Sequence, residues 1–203
     1  MILLKVLIID YGVGNLFSLE NAFKKFKTDV KILSKPENIQ EFDIIVLPGV
    51  GNFSQASKNI KYFKKYIKEA IRNGLIILGI CLGMQILFSK SEEGKGEGLK
   101  ILDGKVVKLP NKVKIPHIGW NSIRIIKNHE LINGIPDGAF YYFAHSYYSI
   151  PKNKEIIITE TYYGKNFPSI IAWKNVYGTQ FHPEKSGKYG IKLLENLLKN
   201  IKK

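Results

Sequence analysis

The sequence predicts an α/β protein: an open, mostly parallel sheet with helices on both faces and an antiparallel extension at one edge. Three observations carry this expectation. Short apolar runs at residues 3–9, 44–47 and 75–78 have strand length and no alternating polar face, as in strands covered on both sides. Stretches with helical spacing lie between them, so strand and helix alternate. From residue 94 to 163 the pattern changes to shorter segments broken by turn pairs such as Asn133-Gly134 and Asp137-Gly138.

In chain order, residues 3–9 form the first strand. Residues 15–26 read as a helix because Leu16, Leu19, Phe23 and Phe26 share one stripe. Residues 30–33 and 44–47 are further short strands, and Ser54 is placed to cap a helix that runs to Arg72. The strand at 75–78 breaks at Gly79, and helical spacing resumes over 82–88. Residues 170–173 and 176–181 read as a hairpin returning to the main sheet, and 191–201 as a closing helix. No repeat or linker interrupts the chain, so one domain spanning 1–203 is expected.

Composition narrows the classes of function. The formal charge is +14, yet Arg72 and Arg124 are the only arginines, and the lysines are scattered in pairs such as Lys24-Lys25 and Lys64-Lys65. Bidentate phosphate and base contacts favour arginine, and no aromatic stacking platform is interleaved with the basic residues. No nucleic-acid partner is therefore expected. The charge reads as a solvated lysine surface that can still attract an acidic partner or a phosphorylated substrate. No apolar run has the length of a membrane span, and the start Met1-Ile2-Leu3-Leu4-Lys5 lacks the features of a signal peptide. A single cysteine excludes an internal disulfide and suits a reducing, cytoplasmic setting.

That cysteine stands in Leu78-Gly79-Ile80-Cys81-Leu82-Gly83-Met84-Gln85. A lone free cysteine is ordinarily a small core residue. Glycines on both sides, after a strand and before a helix, point instead to an elbow that thrusts Cys81 out at the top of the sheet. Amides and dipole at the following helix favour a thiolate and can stabilise an oxyanion. Downstream, Gly178-Thr179-Gln180-Phe181-His182-Pro183-Glu184-Lys185-Ser186 supplies a base and its orienting acid. His182 and Glu184 lie two apart in what reads as a strand end, so both side chains can point the same way. Taken alone, His-Pro-Glu is an ordinary surface turn; with the elbow it reads as a triad of Cys81, His182 and Glu184.

These two segments, GICLGMQ and FHPEKS, resemble the signatures of the class I (triad) glutamine amidotransferases. The blocks IDYGVGNL (9–16), LPGVGNF (47–53), PHIGWN (116–121) and YFAHSY (142–147) narrow the likeness to the glutaminase subunits of imidazole glycerol phosphate synthases. The blocks follow family order from residue 8 to 187. Asn52 and Ser54 replace what is commonly a small residue and a glycine, and Ile118 replaces the usual methionine.

The resemblance implies a flavodoxin-like amidotransferase fold, L-glutamine as substrate, and no cofactor or metal. It implies a (β/α)8 barrel cyclase as partner, in a heterodimer that makes imidazole glycerol phosphate for histidine biosynthesis. It also assigns residues. Gly49, Val50 and Gly51 form the second oxyanion donor beside the Leu82 amide, and Gln85 helps hold the substrate. Asn15, Pro116, Ile118, Trp120, Asn121, Tyr142 and Lys185 face the partner. His117 and His145, each read as following a strand, are expected to be hydrogen-bonded support rather than metal ligands. Three alternatives stay open: a paralogue feeding a nucleotide-sugar synthase, a non-catalytic binding module, and a cysteine hydrolase of the same broad fold.

Overall fold

The computed structural model describes residues 3–201; Met1, Ile2, Lys202 and Lys203, where the sequence was read as strand lead-in and lysine-rich terminus, lie outside the described residues. The elements run β1 (Lys5–Ile9), α1 (Leu16–Lys24), β2 (Asp29–Leu33), β3 (Ile44–Leu47), α2 (Phe53–Ile60), α3 (Lys64–Arg72), β4 (Ile76–Ile80) and α4 (Leu82–Gln85). Then follow β5 (Gly104–Lys108), β6 (His117–Ser122), β7 (Arg124–Ile125), β8 (Phe140–His145), β9 (Tyr147–Pro151), β10 (Ile157–Tyr162), β11 (Asn166–Trp173), β12 (Val176–Thr179) and α5 (Gly187–Lys199).

Among the described residues the main sheet has eight strands in the order β2-β1-β3-β4-β12-β11-β10-β7. The first five are mutually parallel, and β11, β10 and β7 add antiparallel pairs at one edge. Two separate antiparallel ladders, β5–β9 and β6–β8, complete the middle of the chain. The expected extension over 94–163 is thus divided: of its strands only β7 and β10 join the main sheet, while the hairpin expected at 170–181 is present as β11–β12.

The apolar runs fill two cores. Val6 and Ile8 of β1, with Ile44 and Val46 of β3, pack with Leu19 and Phe23 of α1 and Leu193 and Leu197 of α5. The alternate residues Leu7, Ile9, Ile45 and Leu47 pack on the other face with Phe53, Ile60 and Ile67 of α2 and α3. This is why these strands show no polar face: successive side chains enter different cores.

Two local expectations change. The cap of α2 is Asn52, not Ser54. Asn52 holds an extended backbone one residue before the helix, and its Oδ1 accepts from Ser54 N at 2.8 Å and Gln55 N at 3.4 Å. The helix then breaks at a 3-10 turn over Lys61–Phe63 before α3 continues to Arg72.

Candidate active site

Strand β4 delivers Cys81 to the carboxyl edge of the sheet, where the loops 10–15 and 48–53 also end. Cys81 has φ 54° and ψ −108°, a strained conformation for a residue with a side chain. Its position is held from the neighbouring strand, because Cys81 N donates to Thr179 O at 2.7 Å. Close packing explains two of the glycines. A Cβ on Gly83 would stand 1.8 Å from Leu47 O, and one on Gly49 would stand 2.5 Å from Leu82 Cβ. The elbow and the 48–53 loop therefore touch through backbone that no larger residue permits.

His182 and Glu184 are not on a strand. Strand β12 ends at Thr179, and Pro183–Lys185 form a 3-10 turn. The turn, rather than strand alternation, brings the two side chains together: His182 Nδ1 and Glu184 Oε1 are 2.9 Å apart and both side chains are buried. Ser186 fastens the turn, its Oγ donating to His182 O at 2.6 Å and accepting from Tyr142 N at 3.0 Å. His182 N donates to Tyr142 O at 2.9 Å.

Nδ1 faces a carboxylate, so it carries hydrogen and leaves Nε2 as the basic nitrogen. That Nε2 is buried and has no hydrogen-bond partner among the described residues. Burial disfavours the charged ring, but Cys81, when ionised, outweighs burial together with Glu184, and the pKa of His182 rises to about 10. The Cys81 sulfur is engaged elsewhere, 3.7 Å from Ala144 O and 3.7 Å from Gln180 Nε2.

A cavity of about 240 Å³ opens over the sulfur, lined among others by Val50, Gly51, Cys81, Leu82, Gln85 and Glu93. Pro116 and Ile118 form part of its wall, so two of the expected partner-facing residues border the site itself. No hydrogen bond from the Leu82 or Val50 amide is found among the described residues. Gln85 Nε2 donates to Tyr147 O at 2.7 Å and to Gln180 Oε1 at 3.2 Å, which leaves its carbonyl oxygen for a ligand.

The other partner-facing candidates divide. Trp120 is 56% exposed and Ile118 63%. The Trp120 ring stands edge-on to Tyr142 at 6.3 Å, and Lys185 Nζ lies 5.8 Å from the centre of the Tyr142 ring. Asn121 is half-buried and donates to Tyr162 O at 3.1 Å. Asn15 caps α1, accepting from Ser18 N at 3.2 Å. His145 ends β8 as expected, whereas His117 opens β6; cross-strand pairing sets them opposite one another. Among the described residues no group of three or more His, Cys, Asp or Glu could hold a metal ion, and no helix is long and apolar enough to cross a membrane.

Two residues of the site were not singled out from the sequence. Among the described residues Glu93 is the only acidic side chain lining the cavity, and its Oε2 accepts from Phe53 N at 2.7 Å. Burial raises its pKa, against the lowering effect of that bond. The signal was the acidic pair Glu92-Glu93 shortly after the elbow helix. Gln180 stood within the FHPEKS segment's upstream flank without a role, and it sits between Gln85 and Cys81.

The comparisons with known proteins agree with this geometry. The family model for class-I glutamine amidotransferases matches residues 7–201. The chain is similar to imidazole glycerol phosphate synthase subunit HisH of Methanocaldococcus jannaschii, at 46% identity over 94% of this chain and 97% of that one. It is similar to the protein of the same name from Caldanaerobacter subterraneus subsp. tengcongensis, at 48% identity over 96% and 98%. Among solved structures, PurLQS from Thermotoga maritima superposes with a TM-score of 0.79 at 18% identity, covering 99% of this chain and 100% of that one. A glutamine amidotransferase, also from Thermotoga maritima, gives 0.70 at 19% identity, covering 98% and 84%. At such identities these two structures speak for the fold alone. A family match along almost the whole chain, together with an elbow cysteine and a buried His182–Glu184 pair, shows that the chain belongs to the class-I glutamine amidotransferases.

Proposed function

We propose that the chain is the glutaminase subunit of an imidazole glycerol phosphate synthase, hydrolysing glutamine and passing ammonia to a (β/α)8 barrel cyclase. The observation that carries the chemistry is a buried, unpartnered His182 Nε2 whose other nitrogen is held by Glu184, with an ionised Cys81 raising the pKa of the ring. The similarity to HisH subunits over nearly their whole length favours this acceptor chemistry over a nucleotide-sugar synthase.

In this mechanism His182 Nε2 takes the thiol proton, and the sulfur attacks the side-chain carbonyl of glutamine. Negative charge develops on the carbonyl oxygen and is met by amides at Leu82 and the 49–51 loop. The imidazolium returns its proton to the amide nitrogen, the C–N bond breaks, and ammonia leaves a glutamyl thioester. Water, deprotonated by His182, cleaves the thioester to glutamate and restores the thiol. In bulk water the ammonia would be protonated and lost, so delivery to a docked synthase is the productive route. The exposed Ile118 and Trp120 beside the cavity suit an apolar docking surface.

The free amino acid also presents an α-ammonium group, and Glu93 is the acidic group in the cavity positioned to receive it. Glu93→Gln is expected to raise KM for glutamine about tenfold or more, with kcat within a few-fold, because a charge-assisted hydrogen bond is lost in ground and transition states alike. Steady-state kinetics of the partnered enzyme measure the split; a loss confined to kcat contradicts the role.

The whole reading is tested by mixing the chain with the candidate barrel, its phosphoribulosyl-formimino carboxamide nucleotide and glutamine. Imidazole glycerol phosphate and glutamate should appear in equal amounts. Glutamate without the imidazole product would assign the chain to another synthase.

A further inference from the structure

The pair His117 and His145 has no part in the triad, yet it is buried beside the cavity. The direction of every hydrogen bond through it follows from one group that can only accept. His145 Nδ1 lies 2.9 Å from the backbone carbonyl of Tyr147, so Nδ1 carries the hydrogen. In a neutral ring Nε2 must then accept, and it lies 3.1 Å from His117 Nδ1, which therefore donates. His117 Nε2 in turn accepts from Asn121 Nδ2 at 3.3 Å. Burial pushes the pKa of His117 down to about 4 and that of His145 to about 3, so both rings stay neutral near pH 7.

The same carbonyl fixes the other side. Tyr147 O also receives Gln85 Nε2 at 2.7 Å, which identifies that atom as nitrogen. Its second hydrogen meets Gln180 at 3.2 Å, so the atom there is the Gln180 oxygen, and Gln180 must turn its NH2 group to the Cys81 sulfur. From Asn121 to the sulfur the hydrogen bonds are continuous, but they converge on Tyr147 O, which accepts from His145 on one side and Gln85 on the other, so what passes across it is the carbonyl's position and not a donor direction. The His117 ring cannot swing away easily. It is stacked between Phe143, 4.9 Å off with planes at 20°, and Tyr163, 4.0 Å off at 17°.

We propose that His117 and His145 are positioning residues, forming a relay that ties strand β6 to the amide that Gln180 presents to the Cys81 sulfur. With the relay intact, a hydrogen-bond donor faces the sulfur and can steady the negative charge it carries as nucleophile. With it broken, His145 no longer anchors the Tyr147 carbonyl from the β6 side, and a shifted carbonyl loosens Gln85 and with it the NH2 group that Gln180 holds against the sulfur. Strand β6 also carries the exposed Ile118 and Trp120, so a partner docked there holds the surface end of the relay. This last point rests on the proposed function; the effect on the sulfur does not.

The test uses His117→Phe, which keeps a ring between Phe143 and Tyr163 but removes both nitrogens, and His117→Asn, whose amide keeps a donor near Nδ1. Alkylation of Cys81 by iodoacetamide at pH 7 is measured on the isolated chain, and kcat and KM for glutamine on the partnered enzyme. His117→Phe should slow alkylation and lower kcat, each about tenfold, with KM changed less than threefold; His117→Asn should restore both to within threefold of the parent. A merely structural role predicts the opposite sign, because loosening the fold around a buried cysteine exposes it and speeds alkylation. Faster or unchanged alkylation in His117→Phe therefore overturns the proposal, as does an Asn variant as damaged as the Phe variant. If His117→Phe does not fold, Asn121→Leu makes the same comparison at the surface end, where slower alkylation is expected and unchanged alkylation overturns the relay. A parent chain that fails to hydrolyse glutamine with the barrel would refute the function while the alkylation result still judges the relay.

Discussion

Cys81→Ala should abolish glutamine-dependent synthesis, by at least about four orders of magnitude, while the partnered synthase still turns over its nucleotide when given ammonium salt. The size follows from the covalent route: without the sulfur there is no thioester, and the remaining oxyanion donors can only polarise an amide towards a poorly placed water. His182→Ala should fall to a comparable level, because nucleophile and base act as one unit and the loss of either forfeits most of the effect of both. Glu184→Gln should be milder, since an amide can still accept from Nδ1 at the observed 2.9 Å but supports the imidazolium less. The measurements are glutamate release and ammonium-dependent product formation on the same preparations. Glutaminase activity surviving in Cys81→Ala would overturn the assignment of the nucleophile.

The next largest effect concerns control. The isolated chain should hydrolyse glutamine two to three orders of magnitude more slowly than the partnered, nucleotide-loaded enzyme, roughly the contribution of one oxyanion donor. Val50, 43% exposed at the cavity mouth, stands between Gly49 and Gly51, and Gly51 has φ +125°. Such a peptide can turn its N–H towards or away from the oxyanion with little steric cost. The loop is also wired to the first strand: the Tyr11 hydroxyl donates to Pro48 O, and Asn59 Nδ2 holds Tyr11 O at 2.8 Å. Docking that shifts the 10–15 loop would therefore bias the Val50 peptide, a coupling between two sites through one two-state element. Glutamine hydrolysis is to be compared for the chain alone, with barrel, and with barrel plus nucleotide. Equal turnover in all three would remove the switch and leave the triad untouched.

Legibility in the sequence followed the range of the forces involved. The strands at 44–47 and 75–78 were readable because full burial on both faces leaves a local apolar signature, although the second runs over Ile76–Ile80 and passes through Gly79 instead of breaking there. Cys81 and the glycines beside it were readable because a strained turn and a close backbone approach constrain residue type at the site itself. The 3-10 turn that joins His182 to Glu184 was read as a strand end, because spacing two apart fits both and Pro183 is tolerated in either. Ser54 reads as the cap from the sequence because serine suits that role, and only the backbone at 52 shows that Asn52 takes it. Glu93 escaped notice because what makes it functional is the cavity wall, assembled from segments far away along the chain. The split of the 94–163 region into two detached ladders depends on pairing between distant segments, which no local pattern encodes.

The hydrogen bond from Cys81 N to Thr179 O has a consequence for the chain before it is finished. The parallel pairing of β4 with β12, in the register Ile80 to Thr179, carries nucleophile and base to the same edge. Nearly a hundred residues separate the partners, so closing that pair is among the slow, entropically costly steps of folding. A nascent or partly folded chain therefore holds a cysteine without its histidine. Competence thus requires the completed sheet.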